Sequence, residues 1–196
     1  MKPKVGVLIF DGLADWEPAH ALCEIRRSGK FDVITVGFSS QAVVTMGGLR
    51  LAPDATLDAV DWSQVALLIL PGGDMWEQGE RPELKKLLPA LVSKNVPLAA
   101  ICGATLEIAR TGLTRGVRHT SNGLDYLKSM VPSYKDESTY VDQLAVTDNN
   151  LITASGLGNV EFAREILRRL GVYEEADLAA WFDMFKRGVM PAAHQS

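Results

Sequence analysis

Cys102 is the residue best placed to do chemistry. It closes the apolar run Val96-Pro97-Leu98-Ala99-Ala100-Ile101 and precedes Gly103-Ala104-Thr105-Leu106-Glu107-Ile108-Ala109-Arg110, which reads as a helix. A strand that turns directly into a helix has the geometry of a nucleophile elbow. Backbone N–H groups and the positive end of the helix dipole face such a side chain, a setting that favours thiolate over thiol. Gly103 has no Cβ to crowd the turn, and its N–H could face an oxyanion formed at Cys102. Pro71-Gly72-Gly73 ends another apolar run and could bring a second donor, the Gly73 N–H. Two such donors make an oxyanion hole, in which loss of one costs about 10²–10³ in rate. Glu17 comes from a third loop and can reach the thiol. Trp16, Asn122 and Asp15 are candidates for lining the same pocket.

Plainer readings compete with each of these. A lone cysteine is often a small buried hydrophobe. That reading suits Cys23, in the middle of a helix on its apolar side. Pro71-Gly72-Gly73 can be an ordinary turn. It lacks a Walker lysine and a G-x-G-x-x-G frame, so phosphate and dinucleotide binding are weakly supported. Glu17 can simply complement a helix dipole. The three histidines show no metal-ligand spacing with either cysteine, so no metal or other cofactor is expected. His20 reads as a surface or half-buried helix residue, His119 as structural, and His194 lies in the tail.

The elements that would position these residues alternate. Residues 5–10 form a continuous apolar run, as in a strand covered on both faces. Asp15 then reads as the N-cap of a helix from Trp16 to about Gly29, with Ala19, Leu22, Cys23 and Ile25 toward the core. Strands follow at 31–37 and 65–70. A small hairpin is expected over 42–51, loop or turn over 54–61, and a helix over 82–94. After the Cys102 helix come a short strand at 118–122, a helix at 124–130, and a hairpin of 141–147 with 151–154. Helices at 159–170 and 174–187 complete the chain. The β-α alternation predicts one α/β domain over residues 1–188, with a mainly parallel sheet and helices on both faces. Residues 189–196 read as a flexible tail. In such sheets ligands bind beyond the C-terminal ends of the strands, where residues 11–17, 71–74 and 101–104 converge.

Composition sets outer bounds. The 196 residues carry a net charge of −4 and are 47% hydrophobic. That gives no electrostatic case for nucleic acid or an anionic membrane. No apolar run has the length of a membrane span, and the stretch before Asp11 is too short for a signal peptide. Two cysteines are too few for a disulfide framework. A cytoplasmic location with reduced thiols is the expectation.

The chain resembles the ThiJ/PfpI superfamily, within the class I glutamine-amidotransferase-like fold. The likeness rests on Phe10-Asp11-Gly12 with Asp15-Trp16-Glu17, on Leu70-Pro71-Gly72-Gly73, and on Ala100-Ile101-Cys102-Gly103-Ala104. Thr120-Ser121-Asn122, and Leu151-Ile152-Thr153-Ala154 leading into Glu161-Phe162-Ala163, extend it over nearly the whole length. The resemblance implies a flavodoxin-like sheet and a homodimer. It implies that Cys102 is the reactive elbow cysteine and that Glu17 is the acid, commonly protonated, that hydrogen-bonds the thiol. Gly73 and Gly103 match the oxyanion donors. Two departures stand out. Protease-like members carry a histidine directly after the cysteine, where this chain has Gly103. Others carry one after a Thr-Ser or Thr-Thr pair, where this chain has Asn122. Asparagine cannot take a proton as a general base, which weakens proteolysis and glutamine hydrolysis.

The expected function is therefore a cysteine-dependent enzyme acting on a small molecule, either hydrolase or amidase-like or a hydratase or glyoxalase-like lyase. Cys102 would be the nucleophile and Glu17 the acid. The alternative is a non-catalytic protein that senses oxidant through Cys102.

Overall fold

A computed structural model describes residues 2–190. The elements in chain order are β1 (Lys4–Ile9), α1 (Trp16–Ser28), β2 (Asp32–Gly37), β3 (Val43–Val44), β4 (Arg50–Leu51), β5 (Ala55–Thr56), β6 (Val65–Leu70), α2 (Pro82–Ser93) and β7 (Leu98–Ile101). They continue with α3 (Ala104–Arg110), α4 (Leu124–Met130), β8 (Ala145–Asp148), β9 (Leu151–Ala154), α5 (Asn159–Arg169) and α6 (Glu175–Arg187). Residues 191–196, most of the expected tail, and His194 with them, lie outside the described residues.

Seven strands form one sheet in the order β5-β2-β1-β6-β7-β9-β8. Every pairing is parallel except β8 with β9. The central strands read as unbroken apolar runs because both faces are covered. All four residues of β7 and all four of β9 are buried. Helices α1, α5 and α6 pack on one another over one face, and α2 packs on α3 over the other. From β1 the chain winds outward to β2 and β5. It then crosses back to β6 on the other side of β1. The crevice beyond the ends of β1 and β6 is thus the switch point of a doubly wound sheet, where such folds bind ligands.

Four local expectations need correcting. Residues 55–56, expected as loop, pair with Val36 and Gly37 and extend the sheet by an edge strand. Residues 118–122 are not a strand; a single bridge links His119 to Tyr140. Asp15 does not cap α1. Its backbone is already helical, and its Oδ2 instead accepts the Gly47 N–H of the β3-β4 hairpin at 2.6 Å. The core face of α1 carries Glu17, Pro18, Ala21, Glu24 and Ile25, which leaves Ala19 and Cys23 exposed. The helical phase was offset because two glutamates occupy inward positions that apolar counting skips.

Candidate active site

Cys102 sits at the C-terminal end of β7 with φ 58°. The other described non-glycine residues with positive φ are Asn95 and Asn149, a type that tolerates the left-handed region; a cysteine there costs about 1–2 kcal/mol. Neighbours hold the turn in place. The Cys102 N–H donates to Ala154 O at 2.9 Å, continuing the β7-β9 ladder past the strand end. Thr105 Oγ1 donates to Cys102 O at 2.6 Å and lies 2.7 Å from Ser121 Oγ. The Thr120-Ser121-Asn122 segment is itself anchored, with Thr120 N–H on Thr153 Oγ1 and Thr120 Oγ1 on Gln143 O.

Three groups meet the sulfur. Asn122 Nδ2 donates to Sγ at 3.3 Å, while its Oδ1 accepts the Gly156 N–H at 2.9 Å. The amide orientation is therefore fixed, with the donor end toward sulfur. The Gly103 N–H also faces the thiol. Glu17, 1% exposed, reaches Cys102 from the first turn of α1, and its Oε2 accepts the Gly72 N–H at 2.5 Å.

Two glycines make this meeting possible. A Cβ on residue 72 would lie 2.6 and 2.9 Å from the Glu17 oxygens and 2.7 Å from Cys102 Cβ. A Cβ on residue 156 would lie 3.0 Å from Sγ. Gly103 faces Trp76: a Cβ there would sit 3.2 Å from Trp76 Cβ and Cδ1. The Trp76 indole is fully buried, donates its N–H to Pro71 O at 2.8 Å, and packs edge-on against Phe10. The space that a histidine after the cysteine would need is thus bordered by a pinned indole. Gly73 lies beside this group, with its carbonyl oxygen 3.3 Å from the same Cβ position.

The electrostatics correct one expectation. Burial pushes Glu17 above its ordinary carboxylate value, while the Gly72 N–H and the thiol pull it partly back. The Cys102 thiol is pushed up too, first by burial and then by the Glu17 charge; Asn122 and the Gly103 N–H pull the other way. The turn alone therefore does not favour the thiolate. Two adjacent buried anions are disfavoured, so loss of one proton from the pair makes the second harder to lose. A proton held on Glu17 removes the charge that opposes the thiolate and leaves three donors facing sulfur.

Not every candidate joins this cluster. Asp15 and Trp16 line a separate surface groove with Ala19, Met46, Gly47 and Leu49. His119 is buried and bonds Val117 O and Tyr134 through its two ring nitrogens, with its basicity lowered by burial. His20 stacks edge-on against Trp181 and Phe185. Among the described residues no group of three or more His, Cys, Asp or Glu side chains is placed to hold a metal ion, and no helix is long and apolar enough to cross a membrane. Sequence reasoning missed Gly72 as the gap between acid and thiol, and Gly156 as the anchor of Asn122. The glycines after β9 were the available signal, since β9 runs parallel beside β7 and its end reaches the same edge.

A model of the DJ-1/PfpI family matches residues 3–169. The chain belongs to the DJ-1/PfpI family. A Bacillus subtilis (strain 168) protein named "Uncharacterized protease YoaZ" is 40% identical over 191 residues, covering 93% of this chain and 90% of that one. "Glutathione-independent glyoxalase DJR-1.2" of Caenorhabditis elegans is 28% identical over 149 residues, 75% of this chain and 77% of that one. The solved structure of the DJ-1 superfamily protein Atu0886 from Agrobacterium tumefaciens superposes with a TM-score of 0.87 at 32% identity, covering 96% of this chain and 99% of that one. Relatives of one fold thus carry different activity names, and the choice of chemistry rests on the site.

Proposed function

We propose that this DJ-1/PfpI protein is a cysteine-dependent enzyme that adds its thiol to a small electrophilic carbon, of the aldehyde or related lyase and hydratase class. One observation carries the reading: a buried Glu17 meets Cys102 across Gly72, and among the described residues no histidine stands at the sulfur. Glu17 Oε2 is occupied by the Gly72 N–H, so the shared proton belongs on Oε1, toward the thiolate. Sulfur attack on a carbonyl carbon forms a C–S bond and breaks the C–O π bond. The proton of Glu17 passes to the new oxyanion, leaving a hemithioacetal and a Glu17 carboxylate. That carboxylate can take the C–H proton beside the new C–S bond and deliver it to the neighbouring carbon, and it takes back the hydroxyl proton as the C–S bond breaks and the thiolate leaves. The N–H groups of Gly73 and Gly103 are the donors assigned to the oxyanion, and Asn122 holds the sulfur. The Gly156 backbone lies close against the sulfur, which suits a small substrate and disfavours a peptide chain.

The test is turnover of small aldehydes, isonitriles and amides by the wild type and by Cys102→Ala. Wild-type turnover that vanishes in a normally folded Cys102→Ala protein supports the reading. Full activity in Cys102→Ala would overturn it.

A second reading is favoured by the same donors. Glu17 and the Asn122 amide would hydrogen-bond a sulfinate at Cys102. A selective gain of two oxygens at Cys102 after mild peroxide, with no turnover of that panel, would favour an oxidant sensor.

A further inference from the structure

At the end of α3 remote from Cys102, residues 109–115 and 133–136 line a second, smaller cavity of about 340 Å³. Its charges are lopsided: Arg110, Arg115 and Lys135 stand against one acid, Asp136. Arg110 is the fixed part of this wall. Its side chain is only 8% exposed. All its hydrogen bonds run through Nη1, to Trp76 O at 2.8 Å, Gly79 O at 3.1 Å and Glu107 Oε2 at 3.5 Å. These contacts pin the guanidinium from one side and leave Nε and Nη2 without a partner among the described residues. The turn after α3 brings Arg115 to the same place. Gly112 takes φ 73°, the left-handed conformation that commonly ends a helix, and the Arg115 N–H donates back to Gly112 O at 3.3 Å. The Arg115 guanidinium folds over residue 112, with Nη2 3.3 Å from where a Cβ would stand. Arg115 and Lys135 are exposed, and neither forms an ion pair with a described residue.

We propose that this cavity binds a small phosphate monoester, its phosphoryl group held by Arg110, Arg115 and Lys135. Two features oppose an anion and so select among anions. Asp136 is negative, although its Oδ2 is engaged by the Thr114 hydroxyl at 2.7 Å, and α3 turns the negative end of its dipole this way. A single negative charge gains little against them. A phosphoryl group carries about −1.5 to −2 and three acceptor oxygens, which matches three cations. An arginine fork takes two of those oxygens at once, and a lysine adds a point charge. The volume is at the small end for a ligand pocket, so the organic remainder is short. The site does not rest on the reading of Cys102, since about 10 Å of helix separates the two.

The experiment is calorimetric titration of the protein with glycerol 3-phosphate, inorganic phosphate and glycerol, at a fixed ionic strength of about 0.15 M. Glycerol 3-phosphate should bind with a Kd of about 1 mM or tighter, inorganic phosphate several-fold more weakly, and glycerol not at all. Arg115→Ala and Lys135→Ala should each weaken glycerol 3-phosphate by about tenfold. Arg115→Lys, which keeps the charge and loses the fork, should fall between. Both residues are exposed and unpaired among the described residues, so the variants should unfold at the wild-type midpoint without ligand, and the ligand should raise that midpoint less in them than in the wild type. Cys102→Ala should bind as the wild type does, which separates this site from the thiol. No binding of glycerol 3-phosphate, equal affinity for inorganic phosphate, or wild-type affinity in both alanine variants would overturn the proposal. Loss of binding in Cys102→Ala would overturn it as well, by placing the ligand at the sulfur.

Discussion

The Pro71-Gly72-Gly73 turn separates two very different regions. On one side the Cys102 cluster is cramped, with sulfur, carboxyl and amide packed around absent Cβ atoms. On the other lies a cavity of about 770 Å³ beyond the ends of β1 and β2, lined in part by Phe10, Phe38, Met46, Asp74 and Arg81. It is the roomier region, yet among the described residues no cysteine or histidine lines it. Phe10 and Trp76, in edge contact at 5.5 Å between ring centres, stand with Gly73 between the two. The lesson is that volume and reactivity are separate properties. Reactivity needs close, desolvated neighbours that shift each other's protonation, and such neighbours leave little room.

Gly72→Ala should break this contrast most severely. Its methyl would have to enter the gap between Glu17 and Cys102, so turnover should fall by at least about 10³. Overpacking there should also cost about 1–3 kcal/mol. Kinetics and denaturant melts of the same sample check both. Preserved activity would mean that the acid and thiol need not meet.

Glu17→Gln should separate chemistry from stability. The amide still accepts the Gly72 N–H but carries no transferable proton, so activity should drop while stability at neutral pH rises by about 1 kcal/mol. The sign follows from burial, which raises Glu17 in the folded state. The native protein holds this proton more tightly than the unfolded chain. The wild type therefore loses stability as pH rises from the ordinary glutamate value, near 4.3, through the raised one. The gain from Gln should vanish below that window and grow across it. A pH-independent difference between the two proteins would contradict this assignment.

Phe38→Ala sharpens the contrast from the other side and should have the smallest effect. Phe38 lines the cavity and is half-buried, so a loss of about 1 kcal/mol is expected. The pH profile of iodoacetamide alkylation at Cys102, read by mass spectrometry, should be unmoved. A shifted profile would mean that the wall between the regions transmits packing changes.

The sheet and its loops were legible because buried parallel strands leave continuous apolar runs and because glycines mark their ends. Cys102, Glu17, Gly73, Gly103 and Asn122 could be named for the same reason, each standing beside such an end. The roles of Gly72 and Gly156 could not be found this way. Each leaves room for a meeting of side chains far apart in sequence, Glu17 with Cys102 and Asn122 with Cys102, and no local pattern announces it. The cap expected at Asp15 failed because a tertiary acceptor role, on the Gly47 N–H, outcompeted the local one. Cys23 points outward because Glu24 is buried beside Ile25, accepting from Tyr173, and that bond is invisible to hydrophobic periodicity.

The Cys102 N–H bond to Ala154 O ties the backbone of the proposed nucleophile into the sheet, onto β9. Its partners are attached differently. Glu17 lies in the first turn of α1, Asn122 rides on an irregular segment, and Gly156 belongs to the loop after β9. Insertions and substitutions in those connections can change what surrounds the sulfur without disturbing the strand that carries it. A lineage built this way can diverge in chemistry while its reactive atom stays at a fixed address. The protease and glyoxalase names borne by its relatives are the kind of spread that such a division of labour permits.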